Sequence, residues 1–257
     1  MNTIIQYLTI LNTLFVYAKN RKYVTENHFE HYRDLYVPLA PKHRAALDCE
    51  YFDSIENAEK QVGIFLGEIY QTSKDINYFL LFFVHMILGT RLSETVRVIK
   101  NFKSELNKNS SNIEYVKISI KGTKKGQEDN FRIPICASLK QILIKIHEKF
   151  VKYSDEYLKK VLADCIPKTY RKKITCHGSR AIFRTVIELY NPTKYDLIIR
   201  EFYLGHINFS AVQKAYIRTD YLNERNEIQE WYISWIKQGI KKYFSNDISW
   251  VKQKGKT

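Results

Sequence analysis

Apolar positions recur at helical spacing through most of this chain and give way to alternation in one short region. Ile4 to Ala18 carries the first helical pattern and ends in the basic turn KNRK. A second helix is expected from Asp53, as cap, to about Tyr70, with Glu56 three residues later. A third is expected from about Ile76 to Leu88. Its run YFLLFFVHMIL is broken only by His85 and reads as a buried helix. Gly89 interrupts the pattern, and Ser93 is the expected cap of a short helix through Val98. Alternation then appears in EYVKISI (Glu114 to Ile120) and FRIPI (Phe131 to Ile135), which predicts two strands joined by KGTKKGQEDN. Helical spacing returns from Ser138 to Tyr153. Further helices are expected near 155–164, 177–189, 194–203, 209–218 and 223–245, with a break at Asn191-Pro192. The expected fold class is mainly α with a small antiparallel β-sheet (α+β).

Proline placement divides the chain. Pro38 and Pro41 mark residues 38–48 as a linker. Residues 1–37 then form an appendage too small to fold separately, residues 49–250 the main domain, and residues 251–257 a short basic tail. An apolar fraction of 45% supports a packed core and argues against disorder. No repeat and no glycine-rich phosphate loop stands in the sequence, so an NTPase is not expected.

Charge narrows the partners. Lys and Arg number 41 against 27 Asp and Glu, a net charge of +14, which favours a polyanion and above all nucleic acid. Four scattered cysteines without a CxxC pair suggest neither a zinc site nor a disulfide framework and fit a reducing cytoplasm. The apolar run ending at Leu88 is too short to cross a bilayer. The apolar N-terminus lacks the basic start and cleavage site of a signal peptide.

The chemistry-bearing residues gather in GTRLSE, IKGTKK and the segment from His177 to Tyr216. A phosphodiester is anionic, and more charge develops on it under attack. Guanidinium forks match its oxygens, which selects Arg91 and Arg180. Glu94, one turn beyond Arg91, is placed to hold that guanidinium. His177 and Arg180 stand three apart on an expected helix, which puts both heads on one face. The plain alternative is a solvated pair. Thr175 or Cys176 would lie near that helix N-terminus, where a phosphate is favoured. Lys121 sits where strand meets turn and suits protonation of a departing 5′ oxygen, with Lys124 and Lys125 as rivals. His206 and Tyr216 complete the set. Tyr216 is one of 19 tyrosines, with Tyr221 as rival and Tyr203 and Tyr190 behind it. His28 and His31 in HFEH have no third ligand nearby and read as two exposed histidines on a helix. Together, the six side chains can break a phosphodiester with a tyrosine and without a metal.

HGSRAIFRT, YLGH, AVQKAYIR and NERNEIQEWYISWI follow GTRLSE in an order that resembles the tyrosine recombinases, the phage integrases. It resembles one subgroup in particular, the prophage integrases that enter tRNA genes, and the likeness spans about Pro41 to Ile236. PKHRAAL is similar to the opening of that family's catalytic domain. The resemblance implies the tyrosine recombinase catalytic-domain fold and site-specific cleavage and rejoining of DNA through a 3′-phosphotyrosyl intermediate, with no cofactor. It implies Tyr216 as nucleophile, Lys121 as acid to the leaving hydroxyl, His177 in proton transfer, and Arg91, Arg180 and His206 on the phosphate. Lys124, Lys125 and Arg218 are expected on flanking DNA. The implied partners are double-stranded DNA attachment sites, further copies in a tetramer, and accessory DNA-bending or directionality factors. The implied place is the cytoplasm, at the nucleoid, with no membrane. Residues 1–37 resemble the last helices of a core-binding domain, so the chain is expected to be N-terminally truncated. Two other readings remain. One is a remnant that binds DNA non-specifically without productive recombination. The other is a type IB topoisomerase-like relaxase. Ile228, Trp231, Trp235, Ile236 and Ile240 form an amphipathic stripe that packs either within its own subunit or onto a neighbour.

Overall fold

Every residue from Phe79 to Leu88 is buried, so the most apolar stretch of the sequence forms the centre of the fold. The computed structural model describes residues 2–31, 46–47, 52–119, 131–190, 196–205 and 220–244. The chain divides into two compact units, residues 1–43 and 44–257.

In the first unit, helix α1 (Asn2–Asn20) ends in its basic turn. Phe15 packs edge-on against Phe29 at 5.0 Å, and Asn27 Nδ2 donates to Asn12 Oδ1 at 2.7 Å. His28 and His31 are exposed as expected, but they lie in a turn and not on a helix. Asn27 side-chain oxygen takes the Phe29 N–H in an Asx turn and so competes with helical pairing there.

The second unit is mainly helical with a small antiparallel sheet. Its elements are α2 (Ile55–Thr72), α3 (Ile76–Leu88), α4 (Leu92–Asn101), β1 (Leu106–Lys108), β2 (Glu114–Ile118), β3 (Phe131–Pro134), α5 (Ala137–Phe150), α6 (Asp155–Asp164), a 3₁₀ turn (Lys168–Tyr170), α7 (Gly178–Tyr190), α8 (Leu197–Tyr203) and α9 (Leu222–Tyr243). Helix α3 touches α2, α4, α5, α6, α7 and α9. Its side chains face a neighbour in nearly every direction, which is why its sequence shows no polar face. The sheet order is β1-β2-β3, with Leu106 opposite Val116 and Val116 opposite Ile133. It rests on α4 and α9. Ala46 bridges to Ile174, and Leu47 N–H donates to Lys173 O at 2.7 Å, so these two residues are tied to the segment that leads to His177.

Two expected caps move. Ser54, not Asp53, caps α2: its hydroxyl accepts from Asn57 N–H, while Asp53 accepts from Ser54 Oγ and Asn57 Nδ2. Arg91, not Ser93, is the cap of α4. The reason is Glu94, which takes the Arg91 N–H at 2.8 Å and places Ser93 inside the first turn. Helix α8 begins at Leu197 rather than near 194. The expected hairpin turn, the helix near 209–218, the tail 251–257 and most of the linker 38–48 lie outside the described residues. Among the described residues no single helix is long and apolar enough to cross a membrane.

Helices α2 and α9 cross at glycines. A Cβ on Gly63 would stand 2.5 Å from Gly239 C, and one on Gly239 would stand 2.8 Å from Glu59 O. That approach buries Ile228, Trp235, Ile236 and Ile240 within the chain, and Trp231 stacks on Tyr190 at 3.7 Å. The amphipathic stripe of α9 thus packs largely inside its own subunit, with Trp231 partly buried.

Candidate active site

The site starts where α3 stops. Gly89 adopts the left-handed conformation (φ +56°), which turns the chain through Thr90 into α4. Arg91 follows at once. Its Nη1 donates to Glu94 Oε1 at 2.8 Å, so one carboxylate holds both the main chain and the guanidinium of Arg91. The anchoring role expected for Glu94 is present, and the Arg91 side chain stays 29% exposed.

Arg180 comes to the same carboxylate from α7. Its Nη1 lies 3.9 Å from Glu94 Oε2 and donates to Gly89 O at 2.9 Å, while Nη2 donates to Leu204 O at 2.8 Å. Burial pulls its pKa down to about 10 against the opposing pull of Glu94, and it remains charged at neutral pH. The solvated HxxR pair is therefore corrected: Arg180 is 4% exposed. The expectation of two heads on one helical face also changes. Helix α7 begins at Gly178, so exposed His177 precedes it and its carbonyl accepts the Arg180 N–H at 3.2 Å. Thr175 Oγ1 and its carbonyl both accept from Gly178 N–H, which fixes the turn.

Beneath this turn lies a buried polar cluster. His85 Nδ1 is 2.8 Å from Thr95 Oγ1, and Thr95 Oγ1 is 2.8 Å from Thr90 Oγ1. His85 Nε2 is 2.7 Å from Cys176 O and 3.2 Å from Ser179 Oγ. Ser179 Oγ also donates to Cys176 O at 2.7 Å. Sequence reasoning gave His85 no function, although a lone imidazole inside an otherwise apolar run was a visible signal. Burial depresses its pKa to about 4, and nearby Arg180 and His177 act in the same direction.

Arg91 and His177 open onto a cleft of about 990 Å³ that also presents Ser93, Lys159, Arg171 and Thr175. The first turn of α4 and the residues just before α7, Thr175 to His177, border it, and helix N-termini carry partial positive charge. Asp164, the one acidic lining residue among the described residues, is paired with Arg171 at 3.6 Å. Cys176 also borders the cleft, but burial pushes its thiol up to about 11, so it stays protonated. The arrangement suits a phosphate group.

Lys121, Lys124, Lys125, His206, Tyr216 and Arg218 lie outside the described residues. Among the described residues, the structure brings Arg91, Arg180 and His177 together. Among the rival tyrosines, Tyr203 is fully buried. It donates to Ile87 O at 2.7 Å, stacks on Phe183, and its phenol is pushed upward by burial. Such a group is a poor nucleophile. Tyr190 stacks on Trp231, and Tyr221 occupies the left-handed cap of α9 (φ +53°) with its ring against Phe202. NERNEIQEW has a packing role: Arg225 donates to Arg132 O and Asp220 O, and Gln229 accepts from Cys136 N–H. Arg132 Nε in turn donates to Asp220 Oδ2 at 2.6 Å.

No family model, curated protein or solved structure matches the chain.

Proposed function

We propose that the chain is the catalytic part of a tyrosine recombinase, with that family's catalytic-domain fold, which cleaves and rejoins DNA through a 3′-phosphotyrosyl link. The observation that carries this reading is the convergence of Arg91 and Arg180 on the buried carboxylate of Glu94, beside His177 and at the mouth of a basic cleft. The fixed positive charge sits there before any substrate arrives, as stabilisation of a pentacoordinate phosphate requires. In this reading Arg91 and His177 meet the scissile phosphate, and Arg180 fixes the turn that carries Arg91 and the residue two before His206. Tyr216 attacks phosphorus, the 5′ oxygen leaves with a proton from Lys121, and His206 hydrogen-bonds the phosphate. The Arg132–Asp220 pair supports the same reading, because it joins β3, which follows Lys121 in sequence, to the residue four positions beyond Tyr216. Lys124, Lys125 and Arg218 contact flanking phosphates. The substrate is a duplex attachment site at the nucleoid, bound by a tetramer with accessory DNA-bending or directionality factors.

Incubation with nicked duplexes made from the DNA flanking its gene traps a covalent protein–DNA adduct in the parent chain. Tyr216→Phe abolishes it. An adduct that survives in the mutant overturns the assignment of Tyr216, and none in the parent overturns strand transfer.

One observation favours the second reading, a DNA-binding remnant without recombination. Both terminal nitrogens of Arg180 already donate to main-chain carbonyls, so its fork is occupied structurally. That reading predicts salt-sensitive DNA binding and no adduct.

A further inference from the structure

We propose that His85 is a positioning residue that locks the peptide before His177 to the turn before Arg91 through a directional chain of hydrogen bonds. The direction follows from valence. Cys176 O, 2.7 Å from His85 Nε2, is a carbonyl and accepts only, so Nε2 carries the hydrogen. A neutral ring then offers Nδ1 as an acceptor, and Thr95 Oγ1 donates to it across 2.8 Å. With its own hydrogen committed, Thr95 Oγ1 accepts from Thr90 Oγ1 across 2.8 Å. The chain runs Thr90 to Thr95 to His85 to Cys176, and each step has one polarity.

Its two ends are the neighbours in sequence of Arg91 and His177. Thr90, Thr95, His85 and Ser179 are all buried, so water does not substitute for a missing partner. An aliphatic side chain would fill the same space among Phe82 and its neighbours but would leave Cys176 O with Ser179 alone and Thr95 Oγ1 with Thr90 alone, its link to the peptide before His177 broken. The ring is kept neutral by its surroundings. Arg180 and His177 are the cationic or titratable groups whose field reaches it, and both oppose a second proton. The Cys176 side chain, also nearby, remains a neutral thiol.

What is positioned depends on the strand-transfer reading; the ring assignment does not. The test has two arms on the full chain. In the first, nitrogen-15 NMR of the histidine rings follows His85 from pH 8 to pH 5. The expected result is a neutral ring protonated at Nε2, with a slowly exchanging proton. A ring protonated at Nδ1 alone, or charged at pH 7, overturns the proposal. In the second, adduct formation on the nicked duplex is compared for the parent, His85→Leu and His85→Gln, with DNA affinity measured alongside. His85→Leu is expected to slow adduct formation roughly 10- to 100-fold with unchanged DNA affinity. His85→Gln, whose amide donates to Cys176 O, is expected to recover most of the rate. Equal rates in Leu and parent, or no recovery in a folded Gln variant, overturn the proposal. A parent chain that makes no adduct sinks strand transfer, and the ring measurement then decides this proposal alone.

Discussion

Arg180 Nη1 donates to the carbonyl of Gly89 at 2.9 Å, so the second arginine of the site holds the turn that presents the first. The left-handed residue that ends α3 would otherwise leave a buried carbonyl without this donor. Arg180→Ala removes donors from two buried carbonyls and a counter-charge from Glu94. A loss of about 3 kcal/mol is expected. Lysine offers a single point donor in place of the fork, so Arg180→Lys should recover less than half of that loss. Urea unfolding followed by circular dichroism checks both variants. Parent-like midpoints would show that the guanidinium is not a structural tie.

The crossing of α2 and α9 gives a prediction of opposite sign to helix propensity. Alanine is the better helix former by about 1 kcal/mol, so Gly239→Ala on an isolated helix would stabilise it. Here the new methyl meets Glu59 O at 2.8 Å, a main-chain atom that can move only with its helix. Gly63→Ala meets the backbone of Gly239 still more closely. Each variant should lose roughly 1–3 kcal/mol through overpacking. Thermal unfolding reads this directly, and a raised midpoint in either would refute the close crossing.

Acid should weaken the fold through His85. Its pKa falls from 6.5 in the unfolded chain to about 4 in the folded one. Between those values the unfolded chain binds the proton and the folded chain does not, so stability rises with pH across that window and is lost as pH falls through it. The full contribution is on the order of 3 kcal/mol. The measurement is the difference between parent and His85→Gln, which lacks this titration, in urea midpoints at pH 7 and pH 4.5. The parent should lose more. Parallel losses would mean that the imidazole is not the group responsible.

Periodicity revealed the helices whose faces differ and the one with no polar face at all, because burial imposes those patterns directly. It missed β1, Leu106–Lys108, since three residues cannot show alternation and this strand is defined only by its pairing with β2. The caps shifted by one or two positions because Ser54 and Asp53 offer similar local chemistry and only the geometry of the turn selects between them, while at α4 Glu94 takes the Arg91 N–H and starts the helix ahead of Ser93. Within the site, the Arg91–Glu94 contact was legible because both partners lie on one helical turn. The burial of Arg180 was not, because its acceptors, Gly89 and Leu204, come from distant parts of the sequence. His85 was visible as an anomaly but not as a link, since its partners lie in two other elements.

Lys159 and Arg171 test whether the cleft carries the DNA backbone. Both line it together with Arg91 and His177, yet Lys159 sits on α6, outside every motif of the proposed chemistry. If the phosphates next to the scissile one run along this cleft, each residue neutralises about one of them, and binding releases the counterions they held. Replacing either with Gln should then weaken binding to any DNA sequence equally and reduce the slope of log affinity against log salt by about 0.9. The double variant should reduce it by about twice that amount, because two independent contacts add. Both effects should appear in Tyr216→Phe as well, since backbone contacts do not depend on cleavage. Fluorescence anisotropy with a labelled duplex between 50 and 200 mM salt, on the order of the range where such slopes are read, measures all of these. An unchanged slope in the double variant would take the DNA path away from this face and leave the cleft with a smaller anion as its ligand.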